Sequence, residues 1–325
     1  MTLLVHRPGL LTTVQDLGRW GHQSSGVPVA GPMDWFAHRL ANLVIGNASD
    51  AAVLEITVMG PTLECETAAR IAITGAPFVI RVNGSSRESP LVIDACAGTI
   101  IEFGECLAGA RGYLAVSGGI EVPVVLGSRS TDLRARFGGF EGRALQIGDR
   151  LRVGTTAAPS GLRHTGTGGS MPRVRQLPLL GSVPARGTLA PLRVLSGPAA
   201  GESSQEAFRA LLAGTYRVSS RSDRMGYRLE GGNMTRSASG AIITAPTVMG
   251  LVQLPPSGEP VLLMADRQTT GGYAAVAVVI AADLPVAGQL APGHALQFLP
   301  CTDTEARHAV ADAEARLARL EASVG

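Results

Sequence analysis

Short apolar runs separated by turn-forming residues dominate the chain. They include IAIT at 71–74, FVIRV at 78–82, TIIEF at 99–103, YLAVS at 113–117, LRVL at 192–195 and LQF at 296–298. Runs of this length, rich in β-branched residues and bounded by Gly, Pro, Asn or Ser, predict strands. Helical periodicity is confined to three places. Asp34 is placed to cap a helix through WFAHRLANLV, with Phe36, Leu40 and Leu43 or Val44 on one face. Ser203 or Ser204 could cap a second through QEAFRALLAG, closed by Gly214, and TEARHAVADAEARLARLEA predicts a C-terminal helix. Residues 155–191 are rich in Gly, Pro, Ser and Thr with few periodic apolar positions, so the domain boundary falls there. The expected layout is an N-terminal lobe over 1–160, a linker over 161–190, a second lobe over 191–300 and a terminal helix over 301–325. ITGAPFV at 73–79 is loosely like ITAPTV at 243–248, and GTIIEF at 98–103 like GHALQF at 293–298. The expectation is a mainly β chain with few short helices: a duplicated β-barrel whose two lobes face a cleft, closure removing exposed sheet edges.

Composition sharpens this picture. Hydrophobic residues make up 45% and charged residues 17%, ample for cores, while 41 Gly and 20 Pro favour turns over long helices. The formal charge of +2, with no basic run interleaved with aromatics, argues against a nucleic-acid partner. All 28 basic Lys or Arg positions are arginine. The chain therefore has no Walker A lysine, no Schiff-base lysine and no side-chain amine to carry biotin. Cys65, Cys96, Cys106 and Cys301 lack metal-binding spacing, and the six histidines are scattered. The N-terminus does not resemble a signal peptide, and the uncharged segment Ser237–Gly258 is broken by three prolines. A cytoplasmic protein without a membrane span is expected.

Four polar clusters interrupt the apolar pattern. In the first, Gln15, Asp16 and Arg19 surround Gly18, and Asp34 closes the same loop. An Asp–Arg pair pinning a long loop would explain it blandly. In the second, Asn42 and Asn47 fall near a helix end and Glu55 lies between Leu54 and Ile56 of a strand. A strand carboxylate usually faces solvent, so Glu55 is either surface or site. In the third, SSRSDRMGYRLEG, strand parity would put Arg224, Gly226 and Arg228 on one face, two guanidiniums flanking a gap suited to a carboxylate or phosphate. A charged hairpin is the alternative. The fourth is DRQTTGGY, Asp266–Tyr273, between two apolar runs. A tight turn would need the glycines for positive φ, but not the Asp, Arg, Thr and Tyr around them.

Together QDLGRWGHQSSGVPVAGPMD, LANLVIGN, LEITVMGPTLE, SDRMGYRLEG and DRQTTGGY resemble, in order, the KipA-like family, also called allophanate hydrolase subunit 2 or the C subunit of prokaryotic 5-oxoprolinase. The resemblance runs from about Leu3 to Phe298. It implies cyclophilin-like barrel lobes, a relation to the carboxyltransferase domain of urea carboxylase, and two working partners, a KipI-like protein and a LamB/YcsF-type protein. By position it implies site residues at Gln15, Asp16, Arg19, Asp34, Asn42, Glu55, Arg224, Asp266, Thr270, Gly271, Gly272 and Tyr273. On chemical grounds Asp266, Arg224 and Glu55 are the catalytic candidates, and the others are candidates for substrate binding.

The reading that follows is one component of ATP-dependent 5-oxoprolinase, opening 5-oxo-L-proline to L-glutamate, with ATP bound through the complex and no covalent biotin on this chain. A biotin-dependent carboxyltransferase acting on urea or a related amide, with biotin on another chain, is the first alternative. A regulatory binding protein for a KipI-like kinase inhibitor is the second.

Overall fold

The computed structural model describes residues 2–154, 171–179, 181, 183–198, 202–232, 234 and 244–324. Strands dominate, as expected. The chain divides into two compact units, one formed by 1–18, 35–181 and 316–325, the other by 19–34 and 182–315.

The first unit is built on two sheets. One has seven strands, in the order Ile120–Glu121, Arg150–Val153, Thr2–Arg7, Thr62–Cys65, Thr99–Cys106, Phe78–Val82 and Ser85–Glu88. The other has six, in the order Arg173–Gln176, Leu91–Ala95, Ala69–Gly75, Arg111–Val116, Val53–Thr57 and Leu11–Gln15. Arg111–Val116 is buried at every position, which is why YLAV reads as a continuous apolar run rather than an alternating one. Leu54, Ile56, Ile71, Ile73, Phe78, Phe103 and Leu114 form the centre of this unit's core. Helix α1, Trp35–Leu43, starts directly after Asp34. Its expected single apolar face is too narrow a description: Phe36, Ala37, His38, Leu40, Ala41, Asn42 and Leu43 are all buried, so the helix is enclosed on most sides.

The second unit holds a closed barrel. Its strands run Leu189–Ser196, Ala274–Val279, Leu251–Leu254, Val261–Leu263, Gly226–Glu230, Thr215–Val218 and Ala295–Pro300. Parallel pairing of Leu189–Ser196 with Ala295–Pro300 completes the ring, leaving no edge to cover. Alternation sets what fills it. Ala190, Leu192 and Val194 point inward from one strand, Tyr227 and Leu229 from another, and Leu296 and Phe298 from a third.

Helix α2 spans Glu202–Ala213, ending as expected before Gly214. It begins ahead of Ser203 and Ser204, so neither serine occupies the capping position outside the helix. Helix α3, Leu284–Gly288, was not signalled by periodicity; at five residues it is too short to show one. Helix α4 is Asp303–Val324, where Glu305 accepts from both the backbone N–H and the hydroxyl of Thr302 at 2.8 Å, a capping arrangement at its start. Among the described residues no helix is long and apolar enough to cross a membrane.

Candidate functional site

The segment Met264–Tyr273 follows the barrel strand Val261–Leu263 and is held from both sides. Met264 N–H donates to Met225 O at 2.9 Å and Asp266 N–H to Arg224 O at 2.8 Å. On the other side Thr247 N–H donates to Thr269 O at 2.9 Å, and the Thr247 hydroxyl donates to Gln268 O. The chain is thereby fixed between two neighbours.

At its centre lies a buried ion pair. Arg224 Nε and Nη2 reach the two oxygens of Asp266 at 2.9 Å each, a bidentate fork, and Nη2 also donates to Gly31 O at 2.6 Å. The two side chains are only 5% and 7% exposed. Taking both charges from water is costly, and the fork geometry with a further carbonyl is what offsets it. Arg224 sits two residues before its strand begins and Arg228 is exposed, so these two arginines do not flank a common gap; strand parity did not extend back to Arg224.

The glycines of DRQTTGGY serve packing rather than positive φ. Neither Gly271 nor Gly272 adopts it. Thr270 and Gly271 instead pair with Pro246 and Ala245 in a two-residue ladder. A Cβ on Gly271 would stand 2.5 Å from Gln253 Nε2, so its bare Cα admits that amide, whereas a Cβ on Gly272 would meet only the Thr244 hydroxyl at 3.7 Å. Gln253 lines a cavity of about 420 Å³ with Gln268, Tyr273, Asp223, Arg221, Gly226 and Arg228. Tyr273 is half exposed at its rim.

In the first unit the polar groups form two knots. The Asp16 carboxylate accepts from Ser128 Oγ and Ser130 Oγ at 2.6 Å, from Gly18 N–H at 3.0 Å and from Arg129 N–H. Burial opposes its ionisation, but these four donors outweigh it and hold the carboxyl below its usual value. The second knot is a cross-strand row. Register sets Thr13 opposite Glu55, Glu55 opposite Tyr113 and Tyr113 opposite Thr74. Tyr113 Oη donates to Glu55 at 2.8 Å, and Thr74 Oγ1 donates to Ala37 O of helix α1 at 2.7 Å. His38 of α1 stands against the Tyr113 ring and bonds Gln15 O at 3.2 Å. Desolvation pulls His38 down to about 4, so the ring is neutral at pH 7.

A model of the carboxyltransferase domain, subdomain A and B, matches residues 25–300. The chain belongs to this carboxyltransferase family. It is 38% identical over 310 residues to the C subunit of 5-oxoprolinase from Escherichia coli strain K12, covering 95% of this chain and 94% of that one. It is 34% identical to the Haemophilus influenzae protein of the same name, over 88% and 87% of the two chains. Among solved structures, the Kluyveromyces lactis urea amidolyase superposes with a TM-score of 0.83 at 32% identity, over 98% of this chain but 20% of that much longer one.

Within this carboxyltransferase domain the structure brings some expected residues together and separates others. Arg224 and Asp266 meet. Thr270, Gly271 and Tyr273 lie on the continuation of the same segment. Asp34 accepts from Gln289 Nε2 at 2.8 Å, and Arg19 is fully buried with its N–H on Val29 O at 2.7 Å. Asn42 is committed to the fold: it donates to Ala51 O at 2.8 Å and accepts from Asn47, which also donates to Val116 O. Gln15 donates to Thr13 Oγ1 and Thr131 O. Asp16 takes no guanidinium among its four donors, so the Asp–Arg pinning reading does not describe it. Sequence reasoning missed Thr13, Tyr113, Thr74, His38, Ser128, Ser130, Gln253 and Arg267. The polar run SRST at 128–131 was a usable signal for the serines. The row around Glu55 depends on register between distant strands, which a single sequence does not carry.

Proposed function

We propose that this chain is the C component of a 5-oxoprolinase, the complex that opens 5-oxo-L-proline to L-glutamate. The observation carrying the reading is likeness over nearly the whole length of both chains: 38% identity over 95% of this chain and 94% of the C subunit of 5-oxoprolinase from Escherichia coli. The partners are a KipI-like protein and a LamB/YcsF-type protein, and the assembly works in the cytoplasm. A lactam is resonance-stabilised, so the complex uses ATP to activate the ring carbonyl before water attacks. ATP is bound through the complex, because this chain has no lysine to cradle its phosphates.

The Arg224–Asp266 pair and the segment through Tyr273 are the part of this chain assigned to the reaction. Asp266 anchors the segment, and Thr270, Gly271, Gly272 and Tyr273 present hydroxyls and backbone N–H groups at the wall where a substrate oxygen is stabilised. Glu55, 1% exposed and held by Tyr113, keeps the sheet of the first unit in register and acts on the reaction only through that scaffold.

A second reading, transfer of a carboxyl group from biotin, is favoured by the likeness to urea amidolyase. Biotin would then arrive on another chain, since this one offers no lysine. Reconstitution with the KipI-like and LamB/YcsF-type partners decides between them. Glutamate release from 5-oxoproline that needs ATP and all three chains supports the proposal. Its absence, with biotin-dependent carboxylation of urea in the presence of a biotin carboxylase, supports the second reading.

A further inference from the structure

Four arginines are buried among the described residues: Arg19, Arg111, Arg224 and Arg267. The first three all engage other groups, Arg224 most visibly through Asp266 and Gly31. Arg267 does not. It is 5% exposed, its Nε is sealed from solvent without a hydrogen-bond partner, and its side chain makes no ion pair or hydrogen bond with any described residue. The one neighbouring carboxylate, Asp266, already has both oxygens on Arg224. Burial lowers the Arg267 guanidinium only to about 10, so it remains a cation at neutral pH.

A buried guanidinium carries up to five donors in a planar fork and pays heavily for desolvation when none is used. The backbone that carries it is held in place. Arg267 N–H donates to Met264 O at 3.3 Å, within a segment clamped to Arg224 and Met225 on one side and to Thr247 on the other. A nearly buried guanidinium whose Nε has no partner, carried on a segment held from both sides, suits recognition of an oxyanion.

We propose that Arg267 is the anion-recognition residue of this chain, holding a small oxyanion, either the carboxylate of the lactam substrate or a phosphoryl group. The proposal rests on the 5-oxoprolinase reading only for the identity of the anion. The buried, unpartnered Nε stands without it.

The test is thermal denaturation of the purified chain in chloride buffer, alone and with inorganic phosphate, 5-oxo-L-proline or 2-pyrrolidinone, a lactam without the carboxylate. Wild type should gain Tm with phosphate or with 5-oxoproline and not with 2-pyrrolidinone. Whichever anion acts identifies the source. Arg267→Gln should abolish the gain, and Arg267→Lys should keep part of it. Without anion, Arg267→Gln should be at least as stable as wild type, because it removes a buried cation whose Nε has no partner. No gain with either anion, or an equal gain in wild type and Arg267→Gln, would overturn the proposal. In the reconstituted complex the same variant should raise KM for 5-oxoproline by about tenfold or more with a smaller change in kcat. Unchanged KM and kcat would also overturn it, while leaving the 5-oxoprolinase reading intact.

Discussion

Two charged groups, part-buried Asp16 in the first unit and buried Arg267 in the second, are solved in opposite ways. Asp16 has no cation beside it, yet four hydroxyl and amide donors converge on its oxygens and keep it ionised. Arg267 has a carboxylate as its sequence neighbour and feels its charge, but makes no hydrogen bond to it, both Asp266 oxygens being held by Arg224. The difference separates two uses of a buried charge. Where both oxygens accept from donors within the chain, the group fastens a loop and the fold itself explains it. Where a buried guanidinium keeps an Nε without a partner, the proposed partner comes from outside.

The strongest break in this comparison is removal of the cation from the balanced pair. Arg224→Gln leaves Asp266 buried without its fork and should cost about 3–5 kcal/mol of stability by denaturant titration. The double variant Arg224→Met with Asp266→Leu should recover most of that loss, since the pair as a whole contributes little net stability. If Arg224→Gln cost no more than a surface substitution, the pair would not be a buried one.

Acid titration gives the next effect. His38 is held near 4 in the folded chain against 6.5 when free. Between those values the unfolded state binds more protons, so stability falls as pH drops from about 6.5 to about 4, by roughly 3 kcal/mol. Asp16 acts in a lower window. Its folded value is depressed below 3.8, so its contribution is present above that pH and is lost as pH falls further. Tm measured against pH should therefore slope down through the upper window, and His38→Gln should flatten that slope alone. A profile that His38→Gln leaves unchanged would assign the slope elsewhere.

Asp16→Asn sharpens the comparison at smaller scale. It keeps the volume but replaces a carboxylate oxygen with a donor facing donors, which should cost about 1–3 kcal/mol. Gly271→Ala should be the mildest, about 1 kcal/mol or less, because its Cβ meets the end of the flexible Gln253 side chain rather than backbone. A loss as large as that of Arg224→Gln would mean that Gln253 is unable to move.

Much of this was legible along the chain, and the parts that were not share a cause. The strand runs, helix α1 after Asp34 and the polarity of DRQTTGGY are local signals, and each corresponds to a feature of the fold. Burial of Glu55 was left open because parity within Val53–Thr57 does not say which face a helix covers; α1 covers it, through Thr74 and His38. Gly271 was read as a candidate binding residue with a turn as the bland alternative, and the demand the fold places on it, the approach of Gln253 from another strand, is not visible locally. Arg267 was not among the candidates, because nothing local distinguishes it from the other arginines. Only the fold reveals that Asp266 is already taken from 42 positions away.

The account's central claim is that the reaction is served by the second unit's Asp266–Tyr273 segment while the saturated knot at Asp16 serves the fold. The most direct measurement is turnover of 5-oxoproline by the three-chain complex carrying Asp266→Asn or Asp16→Asn, normalised to folded protein. The account predicts a fall in kcat of about tenfold or more for Asp266→Asn, ~1.4 kcal/mol of barrier, and a change within about twofold for Asp16→Asn. Wild-type turnover for Asp266→Asn, or a larger fall for Asp16→Asn, would contradict it.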